Sequence, residues 1–298
     1  MRISGFTFIR NGISLHYPFR ESIRSMLPLC DEVVVVVADS TDGTHEAVAS
    51  IGDERIRIVA HPWDETLRRQ GKLLALLTNE ALRHITGQWG LYLQSDEVLH
   101  ERDLEAIRQA AIRYLDDEQT DGLLFSWYHF LGNYNYIAAP GSRGVYPHEV
   151  RLIKTGRSIF SFRDAQGFRR RLPDGRAVKL RVRAVDAHIY HYAKVRGPEH
   201  EQQRIRMFSR LWHDDDWIER YYRSGESFRY RFAFPLIPFE GTHPAVMHDR
   251  IRETNWPFDP RQAQIKVPFK YRMLNSLYRF TGWRPFEFRN YRLIANNT

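Results

Sequence analysis

Residues 33–37 are five consecutive valines, and Ala38 extends the run. A strand with one wet face alternates apolar and polar side chains. An unbroken β-branched run therefore predicts a strand covered on both faces, the environment of a parallel sheet under helices. The flanking sequence supplies those layers. Residues 2–9 predict a first strand, with a turn at Arg10, Asn11 and Gly12. Pro18 suits the first turn of a helix carrying Phe19, Ile23, Met26 and Leu27 at helical spacing. A short helix over 45–50, a strand over 55–60, a helix over 68–86 with Leu74, Leu77, Ala81 and Ile85 on one face, a strand over 89–93 and a helix over 101–115 follow. Four strand-then-helix units in this stretch imply right-handed crossovers and an α/β chain with a mostly parallel sheet.

In such sheets ligands bind beyond the carboxyl ends of the strands. Two of those ends are polar in a telling way. The valine strand runs into Asp39-Ser40-Thr41-Asp42-Gly43-Thr44, a turn and helix start that presents backbone N–H groups and side chains to a ligand. Here Asp42 or Thr44 can cap the helix, while Asp39 at the strand tip is free for a ligand. The strand 89–93 runs into Gln94-Ser95-Asp96-Glu97. Carboxylates at such a rim can hold a hard cation, Mg²⁺ or Mn²⁺, which in turn holds phosphate. Capping of the next helix by Asp96 is the alternative.

Composition limits the partners. The chain has 298 residues, 43% of them hydrophobic, enough for a sizeable core. Its longest apolar run is far short of the roughly 20 residues of a membrane span, and the start MRISGFTFIRNG predicts no secretory leader. The single cysteine, Cys30, rules out an internal disulfide framework and predicts a buried thiol in a reducing cytoplasm. A net charge of +8 favours an anionic partner. Arginine is dense over 163–183 and 269–292.

The ordered set of Arg10-Asn11 after a strand, the valine strand ending in ADSTDGT, the helix from Gly71-Lys72 to Asn79 and the strand LYLQSDEVL resembles the family 2 glycosyltransferases of the GT-A (Rossmann-like) fold, over roughly the first 100 residues. In that family the second strand usually ends in a D-G-S-T-D-G-T-like turn and the fourth in an acidic D-x-D. This chain has Gln94 at the first acid's place, Asp96 at the second, and an extra carboxylate in Glu97. The resemblance implies a nucleoside-diphosphate sugar donor (UDP or GDP), with Thr7, Phe8, Arg10 and Asn11 lining a base pocket and Asp39 on the base or ribose. Lys72, Gln94 and Ser95 would lie toward the phosphates, and Asp96 with Glu97 on the metal. The segment IYHYAKVR is similar to an I-Y-H-Y-G-x-V-R stretch in which the histidine reaches the metal or diphosphate, which singles out His191. An inverting transfer needs a base for the acceptor hydroxyl; the family places an acid after the strand matched here by 151–154, so Asp164 is the first candidate and Glu149 the second. An ion pair with the neighbouring arginines is the competing fate of Asp164.

In the second half, residues 122–130 predict a strand whose aromatic end, 127–136, would pack a sugar face or the core. The glycine-bearing loop 138–145 is expected to close over the donor. We divide the chain into a catalytic domain, 1–196, and a helical or irregular, aromatic-rich extension, 197–298, suited to acceptor, membrane-surface or dimer contacts. The expected product is a cell-surface polysaccharide or lipopolysaccharide, the acceptor a glycan or lipid-linked glycan, and the site of action the cytoplasm or the inner face of the plasma membrane. A nucleotidyltransferase is the rival enzyme, but no glycine-rich basic loop follows the first strand. A basic nucleic-acid-binding protein is the non-enzymatic rival, and we rank nucleic acid below a nucleotide sugar as partner.

Overall fold

The computed structural model describes residues 1–67, 71–221 and 228–295. The first residues of the expected helix 68–86, residues 222–227 and the last three of the chain lie outside these. The elements of the first half are β1 (Ile3–Ile9), α1 (Phe19–Met26), β2 (Glu32–Ala38), α2 (Thr44–Ala49), β3 (Ile56–His61), α3 (Lys72–Arg83), β4 (Trp89–Tyr92), β5 (Glu97–Leu99) and α4 (Leu104–Arg113). They are followed by β6 (Gly122–Leu131), β7 (Tyr136–Ala138), β8 (His148–Lys154), β9 (Ile159–Ser161), β10 (Phe168–Arg171), β11 (Ala177–Lys179) and β12 (Arg181–Lys194). Last come α5 (Pro198–Ser209), α6 (Asp215–Tyr221), β13 (Arg231–Phe232), β14 (Leu236–Pro238), α7 (His248–Thr254), β15 (Gln264–Ile265), α8 (Phe269–Thr281) and β16 (Arg292–Leu293).

The chain is α/β. Strands β3, β2, β1 and β4 lie side by side in that order and run parallel, and the sheet continues through β8, β6, β7 and β14. Antiparallel pairs enter at β8, β7 and β5, whereas β6 and β12 run parallel. The valine run shows why every residue in it is apolar. Val33, Val35 and Val37 face a core with Ile23 and Met26 of α1 and Ala47 and Val48 of α2. Val34 and Val36 face the opposite core with Leu73, Leu77 and Ala81 of α3. A strand with period-two side chains and helices on both faces has no position left for a polar residue.

Strands from residues 228–295 join this sheet. Strand β14 pairs with β7 at one edge, and β16 pairs with β12. Three of the arginines of 163–183 are held by two acids of the α4–β6 connection: Arg170 and Arg181 reach Asp121 at 3.0 and 3.2 Å, and Arg183 reaches Asp117 at 2.8 Å. Among the described residues no helix is long and apolar enough to cross a membrane. Cys30 is free and buried, and burial pushes its thiol pKa well up.

Candidate active site

The strand order 3-2-1-4 reverses direction at β1, because the chain steps outward from β1 to β3 and then returns to β4 on β1's other side. Crossovers on either side of that point leave a crevice beyond the carboxyl ends of β1 and β4. A cavity of about 490 Å³ lies there, lined by Phe8, Ile9 and Arg10 from the end of β1 and by Gln94, Ser95 and Asp96 from the end of β4. Other walls include His191 and Lys194 of β12, Asp164 of the β9–β10 loop, and Arg204, Met207 and Phe208 of α5.

Pairing of β12 with β5 puts His191 opposite Glu97, and the Tyr192 N–H donates to the Asp96 carbonyl at 2.8 Å. That register brings His191 Nε2 to 3.6 Å from Asp96 Oδ2, both side chains about 15% exposed. Burial disfavours the charged Asp96, but the His191 imidazole, with Arg196 and Arg204 behind it, more than offsets this and holds its pKa at about 2. His191 Nδ1 lies 2.9 Å from His129 Nδ1, and His129 Nε2 lies 2.6 Å from the Tyr146 carbonyl. A carbonyl accepts only, so the His129 proton belongs on Nε2 and its Nδ1 accepts. Burial, then His191, lower the His129 pKa to about 3, against the pull of the Tyr146 carbonyl, which keeps this ring neutral. The His191 Nδ1 therefore carries a proton in either charge state; while the ring is charged its Nε2–H faces Asp96, and loss of that proton presents Nε2 with Asp96 to the cavity. An imidazole nitrogen and a carboxylate oxygen so placed suit a divalent cation. Among the described residues no third His, Cys, Asp or Glu converges there.

Cationic charge surrounds the same floor. Glu201, fully buried, pairs with Arg204 at 2.7 Å and Arg196 at 3.6 Å, which holds both guanidiniums near Asp96. The sequence reading missed Lys194, Arg204 and α5 as cavity walls. The signal was present in the I-Y-H-Y-A-K-V-R run, whose Lys194 follows His191 by three residues.

Asp164 stands half-buried on a loop whose flanking residues, Arg163 (φ 57°) and Ala165 (φ 58°), both adopt the left-handed conformation. Non-glycine residues pay for that geometry, and such strain concentrates where a side chain must be presented. Burial raises the Asp164 pKa, and its Oδ1 is buried with no hydrogen-bond partner among the described residues. No arginine among them pairs with it.

Asp39 is exposed at the rim beside this cavity. Its carboxylate accepts from the Trp63 N–H at 2.9 Å, and its carbonyl accepts from Arg10 Nε at 3.0 Å. Arg10 lies 4.0 Å over the Trp63 ring, and both side chains line the cavity. Asn11 is turned inward instead: its Oδ1 accepts from the Thr41 N–H, and its own N–H donates to Ser40. It ties two loops together rather than facing the cavity. Thr7 is buried beneath β1's end, and Lys72 is exposed at the start of α3; neither lines the cavity.

Three expectations are corrected. Glu97, expected on the metal, points into the interior, where Arg151 Nε and Nη2 bind its two oxygens at 2.7 Å each. Strand β5 begins at Glu97, and its inward face needs an anion for the buried Arg151. Glu149 is buried on β8 against the turn at Gly167 and does not line the cavity; burial raises its pKa to about 7. The loop 138–145 does not lie over the cavity. Its Arg143 N–H donates to Asn275 of α8 at 3.0 Å and its guanidinium to the Pro285 carbonyl at 2.6 Å. Of the aromatic stretch 127–136, Trp127 packs on His191 and Arg151 and Tyr128 stacks on His188, so these rings build interior walls.

The model of "Glycosyl transferase family 2" matches residues 19–172, just over half of the chain. No curated protein matches. Among solved structures, S. aureus TarS 1-349 in complex with UDP is 19% identical, with 71% of this chain and 65% of that one covered and a TM-score of 0.40. S. aureus TarS is 16% identical, with 70% and 39% covered and a TM-score of 0.39. Glucosyl-3-phosphoglycerate synthase from Mycobacterium tuberculosis in complex with Mn²⁺, UDP-glucose and glycerol 3-phosphate is 19% identical, with 43% and 44% covered and a TM-score of 0.29. The chain thus spans less than two thirds of the length of each of these structures.

Proposed function

Because the chain belongs to glycosyl transferase family 2, we propose that it transfers a sugar from a nucleoside-diphosphate sugar, UDP- or GDP-linked, to an acceptor hydroxyl in the cavity beyond β1 and β4. The observation that carries this reading is that Asp96 with His191, the half-buried Asp164, and the cations Lys194 and Arg204 line one cavity.

In this reading Arg10 and Trp63, held together by Asp39, take the nucleoside, with Phe8 against the base. Lys194 and Arg204 face the diphosphate. Asp96 and His191 would hold a divalent cation, Mg²⁺ or Mn²⁺, which when bound neutralises the charge of the departing diphosphate. Asp164 accepts the proton of the acceptor hydroxyl as that oxygen forms its bond to the anomeric carbon. The bond from that carbon to the diphosphate oxygen breaks as the new one forms, its electron pair leaving with the diphosphate, so the configuration inverts. An acid whose pKa is raised by burial is the better base near neutrality. The acceptor we propose is a glycan or lipid-linked glycan of the cell surface.

Calorimetry with UDP- and GDP-sugars, with and without Mn²⁺, tests the donor half; one nucleotide should bind, and more tightly with the metal. Asp164→Asn tests the base. Donor affinity should stay within about twofold while turnover falls by roughly 10²–10⁴. Unchanged turnover would move the base elsewhere.

A further inference from the structure

Helix α8 presents its apolar side to solvent. Its inner side, with Tyr271, Asn275 and Tyr278, lies on the loop 139–144: Asn275 accepts from the Arg143 N–H at 3.0 Å, and the Tyr278 ring covers Gly141, which has φ 76°. Those contacts set the helix's rotation. Positions 269, 273 and 280 then fall on the far side, because steps of four and seven residues return to one face of a 3.6-residue helix. Phe269 is 68% exposed, Met273 59% and Phe280 89%, and beyond the helix Trp283 is 63% and Phe286 90% exposed. Five large apolar side chains in one stretch of a water-soluble surface need a partner.

The charges beside them say which kind. From residue 260 to 286 the sequence holds six basic residues and no acidic one. Arg261 is paired with Asp259 and Arg284 with Glu287. Lys266, Lys270, Arg272 and Arg279 have no carboxylate partner among the described residues, and they flank the apolar stripe. An apolar stripe edged by unpaired cations matches a bilayer surface, whose acyl boundary takes the rings while anionic headgroups take the cations. A second copy of this chain would bring the same cations against themselves.

We propose that this face, α8 with Trp283 and Phe286, docks the protein on an anionic lipid bilayer. None of its residues lines the donor cavity, so the inference stands apart from the donor reading. The same segment leads on to Asn290, whose side chain donates to the Gln166 carbonyl at 3.2 Å, two residues from Asp164.

The test is co-sedimentation of the full chain with vesicles of phosphatidylcholine alone and with about 30% phosphatidylglycerol. Binding is expected only to the anionic vesicles, and it should weaken with salt. Phe280→Ser with Phe286→Ser should abolish pelleting. Substituting Lys266, Lys270, Arg272 and Arg279 by Gln should weaken binding by roughly 600-fold, about fivefold for each of the four cations lost. The melting temperature and the affinity for the nucleotide sugar should be unchanged in both variants, which separates this result from a failure to fold and from the donor assignment. Equal binding by wild type and variants overturns the proposal. So does no binding to anionic vesicles, and so does a concentration-dependent dimer, seen by sedimentation velocity, that the double serine variant dissolves while vesicles are ignored.

Discussion

Glu97→Gln separates a structural acid from a metal ligand. Both Glu97 oxygens are held by Arg151, at 2.7 Å each, and the two side chains are 0% and 2% exposed. Replacing the carboxylate by an amide leaves the guanidinium buried, charged and facing an N–H₂ group. Breaking a buried ion pair on one side typically costs about 3–5 kcal/mol. The Tyr92 and Trp127 rings, 5.4 and 4.9 Å from the Arg151 guanidinium, offset part of this, so the low end, about 3 kcal/mol, is expected. Urea denaturation should show that loss, and a thermal scan a fall of roughly 6–12 °C. Glu97 also accepts from the Gln94 N–H at 3.1 Å, which steadies the turn presenting Asp96. Metal-dependent donor binding should therefore weaken by no more than about tenfold. The double variant Glu97→Met with Arg151→Met should regain most of the stability, because no charge is then left buried. If Glu97→Gln stays within 1 kcal/mol of wild type and loses metal dependence altogether, Glu97 is a ligand and the assignment to Arg151 is refuted.

Glu149 gives a pH signature. Its folded pKa of about 7 exceeds that of a free glutamate, so between roughly pH 4.5 and 7 the folded state binds more protons and stability falls as pH rises. The loss approaches about 3 kcal/mol at most, and Glu149→Gln should flatten this part of the stability profile. His129→Phe should leave the melting temperature within about 2 °C but weaken metal-dependent donor binding about 10–100-fold, since it removes the group that sets the His191 tautomer. Calorimetry at fixed Mn²⁺ checks it, and unaltered affinity would show that His191 needs no such partner. Asp96→Asn should abolish the effect of metal on donor affinity while leaving the circular dichroism spectrum unchanged.

The parallel sheet, the positions of Asp39 and Asp96 at strand tips and the membership of family 2 were legible in the chain because each rests on local pattern. Valines that face two cores must all be apolar, and a polar cluster directly after a buried strand must lie at its rim. Period and turn chemistry carry that information within ten residues. What Glu97, Asn11, Glu149 and the loop 138–145 do was decided elsewhere. Three depend on a partner 30 to 132 residues away in the sequence, Arg151 for Glu97, Thr41 for Asn11 and Asn275 for the loop, and Glu149 is buried against the turn at Gly167. A carboxylate looks the same in sequence whether it meets a guanidinium in the core or water in a cleft. Only the packing of β5, β8 and β12 sent Glu97 inward and left Asp96 and His191 facing the cavity, because the burial that a neighbour imposes, and the charge it brings, are set by three-dimensional contact and not by order along the chain.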